Sequence, residues 1–404
     1  MVNRIESPIM PPLSREQLAW SLFDAGCWGY ASVTISTIVP LVFQKDTPKD
    51  EQPFSSAVWA NTVAAGTVFA GLLCPFIGAV VDAYSIRKAT VFVSACAMVG
   101  LLTLFASLDP SNWVLLVLVA MVAVLFYSVM QAVYNSLLMH VVDASEDELI
   151  TVSGVQCAIG NFGAMVLMTL LQLNDAKHNK EALPQTMVFT SFVWSAVWFA
   201  VLSVPFYVMY HEDGSDAPPL SRAKTDQSGL ATVGSSMRLA WVSFKQTLHQ
   251  RELMLYIAAT LLYSDASSTV FSVYNVYASQ VGVSTDVLLR GSVVNRWVGL
   301  ASALGWVALA RAAGGRACLL ASIGGVLVAC VMLGFVTSDF DYWCVNVMLA
   351  IAGAGQYVFS RALLGRLTTK QRTAQHFGLM AGVSRVSGLV GPLVYGALSV
   401  AAGG

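Results

Sequence analysis

The sequence predicts an all-α, polytopic membrane protein built from two related sets of helices, and three observations carry that expectation. Of 404 residues only 11% are charged and 56% are apolar, whereas a soluble globular protein is about 25% charged. Apolar runs of the length that crosses a hydrocarbon core, about 20 residues at about 1.5 Å each, recur from Leu18 almost to the C-terminus. Patterns of the first half return in the second at nearly constant offsets.

In chain order, residues 1–17 form a polar tail with no apolar core of secretory-signal length, so the first run is expected to be a retained helix. Spans are expected near 18–43, 55–81, 89–107, 113–140, 151–173 and 185–210, giving an N-terminal six-helix bundle over 18–210. Residues 211–251 read as a linker: the polar stretch HEDGSDAPPLSRAKTDQSG, then an amphipathic helix with Trp241, Phe244 and Leu248 at helical spacing. A second set follows near 252–278, 286–310, 317–336, 342–365 and 376–402, a C-terminal bundle over 252–404. This set shows five helices, and its last ends in SVAAGG. Against a six-plus-six plan the twelfth helix is expected to be absent, through fragmentation or a departure from the plan.

The 22 Lys and Arg residues orient the chain. With a cytoplasmic N-terminus, fourteen fall in cytoplasmic segments and only Lys45, Lys49, Lys177 and Lys180 on the other side, while Arg290, Arg296, Arg361 and Arg385 lie within spans. Because basic residues accumulate on the cytoplasmic side, the N-terminus is expected there. The net charge of -1 and the placement of the charges exclude nucleic acid as a partner. Seven cysteines all fall in apolar runs without a CxxC pair and read as packing residues. No HExxH, GxSxG or Walker loop is present, and five scattered histidines offer no ligand cluster, so neither an enzyme nor a metal or other cofactor is expected.

The repeat is visible residue by residue. Gln131, Val133, Tyr134, Asn135 and Leu138 of the fourth span align with Gln356, Val358, Phe359, Ser360 and Leu363 of the tenth. Gly154, Gly160 and Gly163 of the fifth align with Gly382, Gly388 and Gly391 of the eleventh, spacing that lets helix backbones approach closely. The first and seventh spans each carry one aspartate, Asp24 and Asp265. Two six-helix halves related by an axis along the membrane normal, with a site between them near midplane, is the arrangement of the major facilitator superfamily. Between the second and third spans, Gly78, Asp82, Arg87 and Lys88 resemble the cytoplasmic motif of that superfamily, a set able to exchange charge contacts across a gate; a simple positive-inside anchor is the alternative. The matching place in the second half keeps Gly305 and an arginine but has Leu309 instead of an acid.

More narrowly, Trp20, Phe23, Asp24, Tyr30 and Pro40 of the first span resemble the opening of the vacuolar amino-acid effluxer family, the autophagy-related branch of the superfamily. Tyr263 to Ser272 with Tyr277, Gln356 with Ser360 and Arg361, and Phe377-Gly378 with Gly391-Pro392 extend the likeness over nearly the whole chain. Departures are Cys27, where relatives commonly have Asn, and Ala266 in place of Gly. The resemblance implies export of amino acids, proton-linked, from vacuole or lysosome in a eukaryote or across the inner membrane in a bacterium. Lipid and a small-molecule substrate are then the partners, and a monomer is expected.

Ionisable residues at bilayer depth cost about 2.5–3.5 kcal/mol each on insertion scales and so mark candidate sites. Asp265 is the expected central acid, a proton carrier or partner for a substrate ammonium, with an ion pair to Arg296 or Arg385 as the alternative. Asp24 is the weaker analogue, with a first-turn Asp favoured by the helix dipole as the other reading. Arg296 and Arg385 can hold a substrate carboxylate or pair between helices. Arg361 and Arg290 are expected to snorkel to the interface. Gln131, Asn135, Asn161 and Gln356 read as helix glue or site polar groups, and Trp28, Tyr30, Tyr263 and Tyr277 as cavity lining or packing. A secondary transporter of small solutes is the leading expectation; a transporter-like receptor or scaffold without transport, suggested by the missing helix, the degenerate second motif and Cys27, is the competing one.

Overall fold

The computed structural model describes residues 13–35, 52–108, 112–142, 145–175, 185–212 and 238–401, apart from positions 239, 240 and 243, and no strand occurs among them. Eleven long helices follow one another: α1 (Arg15–Val33), α2 (Gln52–Tyr84), α3 (Arg87–Ser107), α4 (Trp113–Ser136), α5 (Glu146–Asp175), α6 (Gln185–Met209), α7 (Arg251–Gln280), α8 (Thr285–Ala313), α9 (Gly315–Leu333), α10 (Asp339–Arg366) and α11 (Thr373–Ala401). Eight of them are long and apolar enough to cross a membrane, counted over the described residues. The other three, α1, α7 and α11, are the helices that carry Asp24, Asp265 and Arg385.

Local chemistry sets several boundaries. Ser14 and Gln17 form a reciprocal capping box, so α1 begins earlier than hydropathy suggests. Ser338 and Asp341 do the same for α10. The expected span 113–140 is broken at Leu137, whose N–H turns back to the carbonyl of Tyr134, and a separate one-turn helix, Leu138–Val141, follows. Pro75 and Pro205 lie inside α2 and α6, a position tolerated in membrane helices because neighbouring groups re-satisfy the freed carbonyls. The expected tail residues 1–12, the continuation of the first span past Ile35 and linker residues 213–237 lie outside the described residues. Of the expected amphipathic segment, Trp241 and Phe244 are helical and their rings lie against Phe76 of α2, at 6.1 and 5.3 Å between centroids.

Packing repeats between the halves. In the first set α1 packs on α5, and in the second α7 packs on α11. Across the halves, α2 packs extensively on α11 and α5 on α8, two seams exchanged by a twofold operation that swaps α2 with α8 and α5 with α11. Odd-numbered helices start, and even-numbered helices end, at one face, called here the Asp82 face; Glu212 after α6 bonds the start of α3, and Thr247 before α7 bonds His376 in the first turn of α11. Large apolar side chains such as Leu72, Leu262, Leu320 and Phe335 stand on the outside, the solvent choice of a chain surrounded by lipid.

Ser85, between α2 and α3, is the non-glycine residue with positive φ (49°) among the described residues, and its buried hydroxyl has no partner. A Cβ there opposes the left-handed backbone, at about 1–2 kcal/mol. Ser85→Gly is therefore expected to raise the thermal unfolding midpoint of the purified protein in detergent. An unchanged or lowered midpoint would count against strain at this turn.

Candidate functional site

The polar groups of the interior form three levels, rising from the Asp82 face. At the face itself, Asp82 at the end of α2 is 3% exposed and reaches across to the other half. It accepts backbone N–H bonds from Ala374 (3.1 Å) and Gln375 (2.8 Å) at the start of α11, and a long bond from the Thr373 hydroxyl (3.4 Å). α11 has no acidic residue in its own first turn. Asp82 therefore supplies, from the first half, the anion that the orphan N–H groups of a helix start attract. Arg87, fully buried, holds the same carboxylate at 2.7 Å and lies 3.6 Å from Glu212. Lys88 does not touch Asp82; its ammonium donates to the carbonyl of Tyr210, fixing the end of α6. Gly78 lets α2 close on α11, since a Cβ there would run into the backbone of Ala374.

The half-motif of the second set shows why it is degenerate. Gly305 faces open space and Leu309 is half exposed, so neither closes a seam. The symmetry-related helix start, that of α5, carries Glu146, Asp147 and Glu148 in its own first turn and needs no acid from across the interface. A half-exposed ion pair joins the halves there instead, Arg366 to Glu146 at 2.6 Å.

One level up lies Asp24. It sits in the third turn of α1, fully enclosed, which overturns the reading of a first-turn aspartate. Gln156 donates to its Oδ2 at 2.7 Å, while Oδ1 has no well-formed hydrogen bond. Gln131 lies beside the carboxylate and donates to the Cys27 sulfur at 3.1 Å. Tyr134 accepts from Gln156 at 3.3 Å and donates to the Trp20 carbonyl at 2.5 Å. Arg361 faces this group from α10, and its charge bears on Asp24. Its expected snorkelling is corrected by the structure: it is 4% exposed, stacks on Tyr357 at 3.8 Å, and donates to Asn135 Oδ1 (3.1 Å) and the Ser153 carbonyl (3.3 Å) of the first half. Asn135, the Ser153 carbonyl and the Tyr357 ring give it partners within the protein.

Above this, Tyr127 of α4 is the meeting point. The Arg385 guanidinium lies 5.9 Å from its ring, and Arg296 of α8 has Tyr274, Cys157 and Tyr127 in its surroundings. Both arginines are half-buried. Asn161 bonds back to the Cys157 carbonyl at 2.9 Å and faces Gly299 of α8. Trp28 crosses the interface edge-on to Tyr357 at 4.9 Å.

The remaining candidates do not join this constellation. Asp265 is half-buried on α7; its backbone carbonyl accepts from Ser268 and Thr269, next to the contact of Ser268 with Gly388 on α11. Tyr30 packs inside the first half against Phe199, so it fills a core and lines no inter-half space. Tyr263 bonds Ser360 (2.7 Å) within the second half, and Gln356 is buried with an unpartnered amide nitrogen. Tyr277 is half-buried and Arg290 exposed. Gly160 and Gly163 admit α1, the former against Asp24 itself, and Gly154 admits Val307 of α8. The surroundings of Gly391 lie outside the described residues. Sequence reasoning passed over Gln156, Tyr127 and Tyr357 and marked Cys27 only as a departure from relatives; a buried amide inside the apolar run SGVQCAIGN was the available signal for the first.

The profile of the family described as "Vacuole effluxer Atg22 like" matches residues 49–403. The uncharacterized MFS-type transporter YxiO of Bacillus subtilis is 21% identical over 391 residues, covering 96% of this chain and 89% of that protein. Autophagy-related protein 22-2 of Emericella nidulans is 25% identical over 190 residues, 43% of this chain and 32% of that longer protein. Among solved structures, the proton:xylose symporter XylE superposes with a TM-score of 0.69 at 12% identity over 96% of this chain and 89% of its own. FucP in its outward conformation gives 0.69 at 12% identity over 96% and 92%. At these identities the likeness establishes the fold, that of the major facilitator superfamily.

Cys74 is 2% exposed and its carbonyl abuts Gly378 in the α2–α11 seam. If Asp82 holds that seam shut, Asp82→Ala should expose Cys74 to maleimide, with Cys96, Cys330 and Cys344 replaced by alanine to remove background. Labelling equal to that of the parent would show that the seam closes without Asp82.

Proposed function

The chain belongs to the vacuole effluxer Atg22-like family, and from that premise we propose that it is a secondary active transporter exporting small solutes, amino acids foremost, by proton-coupled alternating access between its two halves. The observation that carries this reading is a bridge across the interface near an enclosed acid: Arg361 of the second half donates to Asn135 and Ser153 of the first, whose buried Asp24 lies within reach of its charge. Charge at that depth is expensive unless it serves a pathway.

Physical chemistry supports a two-state reading. The contacts that close the Asp82 face are a charge on a helix start, worth about 0.3–2 kcal/mol, and a half-exposed ion pair, worth roughly 0–1 kcal/mol. Neither is strong enough to lock the molecule, so a bound solute or proton of modest differential affinity can tip the balance. On this reading the conformation described is closed at the Asp82 face, and Gly78, Asp82, Arg87 and Lys88 make up the gate. With the N-terminus cytoplasmic, as the basic residues suggest, the solute would enter from the lumen or periplasm and leave beside Asp82. The membrane would be that of the vacuole in a eukaryote or the inner membrane in a bacterium.

Asp24 is the proton site in this scheme. In this scheme its carboxyl, held by Gln156, binds a proton while the pathway is open to water and releases it as Arg361 draws near. The two halves thus exchange a proton for an ion pair.

The test is flux in proteoliposomes with a panel of labelled amino acids under both signs of pH gradient. Wild-type protein should move at least one in a gradient-dependent way. Asp24→Asn, which matches the shape but cannot ionise, should retain solute exchange at zero gradient and lose gradient-driven accumulation. Should no solute move, the transport reading falls; should Asp24→Asn accumulate solute normally, the proton belongs to another group.

A further inference from the structure

The two inter-half seams end in the same way. From the Asp82 face, α2 and α11 are zipped by Gly78 on Ala374, Gly378 on Cys74 and Gly382 on Gly71; three residues beyond Gly382 stands Arg385. α5 and α8 are zipped by Gly154 on Val307 and by Asn161 on Gly299; three residues beyond Gly299, on the side away from the Asp82 face, stands Arg296. Each seam therefore presents one guanidinium just past its last close contact. Both belong to the second half; Arg385 lies beside Tyr127 and Cys74 of the first, and Arg296 lies among Tyr274 of its own half and Cys157 and Tyr127 of the first.

Neither arginine makes a hydrogen bond or an ion pair with any described residue. The other buried or bridging arginines are occupied: Arg87 with Asp82, Arg361 with Asn135 and Ser153, Arg366 with Glu146. A guanidinium offers five donors in a planar fork suited to a carboxylate, and at bilayer depth its charge needs a counter-charge. Among the described residues the interior carries three guanidinium groups, Arg296, Arg361 and Arg385, against two carboxylates, Asp24 and Asp265. A solute without net charge leaves that excess in place, and a cationic solute adds to it.

We propose that Arg296 and Arg385, each just past the end of its seam, form the carboxylate-binding floor of the solute site, and that the solute class is small carboxylates of net negative charge, acidic amino acids or dicarboxylates. This rests on the transporter reading and narrows its substrate.

Equilibrium binding to the purified full chain in nanodiscs tests it, using labelled glutamate, succinate, leucine and lysine, with flux of the same four in proteoliposomes. Saturable binding of glutamate or succinate is expected, with leucine and lysine weaker by roughly tenfold or more. Glutamate bound in preference to succinate supports an acidic amino acid, and equal or reversed binding supports a dicarboxylate. Arg296→Gln and Arg385→Gln should each weaken anion binding by roughly tenfold or more, while Arg385→Lys, keeping the charge, controls for folding by retaining part of it. Preferred binding and flux of leucine or lysine would overturn the anion site and leave the transporter standing; so would glutamine variants that bind anions as wild type. Absence of binding and flux for all four would overturn both.

Discussion

A carboxylate at the end of one helix meets the bare start of another, and much of the architecture follows from it. The first N–H groups of α11 have no intrahelical partner and no acid of their own helix, so Asp82 of α2 completes them. This contact fixes the register of two antiparallel helices. Gly78 then lies on Ala374, Cys74 on Gly378 and Gly71 on Gly382, successive turns brought to backbone distance because no side chain intervenes. Arg87, buried beside Asp82, prevents the carboxylate from being an uncompensated charge and ties the same point to Glu212 and α3. The closure of the face, the position of Arg385 above it and the path out beneath it all depend on that register.

The two halves are related by sequence and by contact, yet they are not equivalent, and the departures have physical causes. α5 carries three acids in its first turn, so its start is satisfied without help from across the interface, and Leu309 in α8 removes nothing that was needed. That seam is held by a half-exposed ion pair and by Gly154 against Val307, contacts weaker and more solvent-dependent than a buried carboxylate on a helix start. On the alternating-access proposal, the α2–α11 seam is the natural hinge side.

Hydropathy made the helices legible because a membrane helix has only to be long and apolar, and the eleven expected spans correspond to the eleven long helices among the described residues. The glycine spacing was legible too, since Gly154, Gly160, Gly163 and Gly382 stand at close helix contacts. The candidate site was read less well. Asp24 and Asp265 look alike in sequence, and depth along a span favoured Asp265, but enclosure is decided by neighbours: Gly160 and Gln156 of α5 admit and bond Asp24, while Asp265 remains half-buried. Arg361 was assigned to the interface because it lies near the end of its helix, a criterion that ignores rotation; its face of α10 points at Asn135 and Ser153, not at lipid. Rotation of a helix about its axis is set by pairwise packing, which a single sequence does not contain.

The distribution of charge has a consequence for how the halves hold together. Asp24 belongs to the first half, and Arg296, Arg361 and Arg385 belong to the second, where the half-buried Asp265 offsets only part of their charge, so among the described residues a negative wall faces one of net positive charge. In an interior of low polarity such a field acts over longer distances than in water and draws the walls together. Whatever neutralises one wall weakens that attraction: a proton on Asp24, or an anion on the arginines. On the proposed scheme proton and anion act on the same equilibrium from opposite walls, and linkage requires each to alter the affinity for the other. Solute and proton are then coupled through one shared interface charge balance, with no further device invoked.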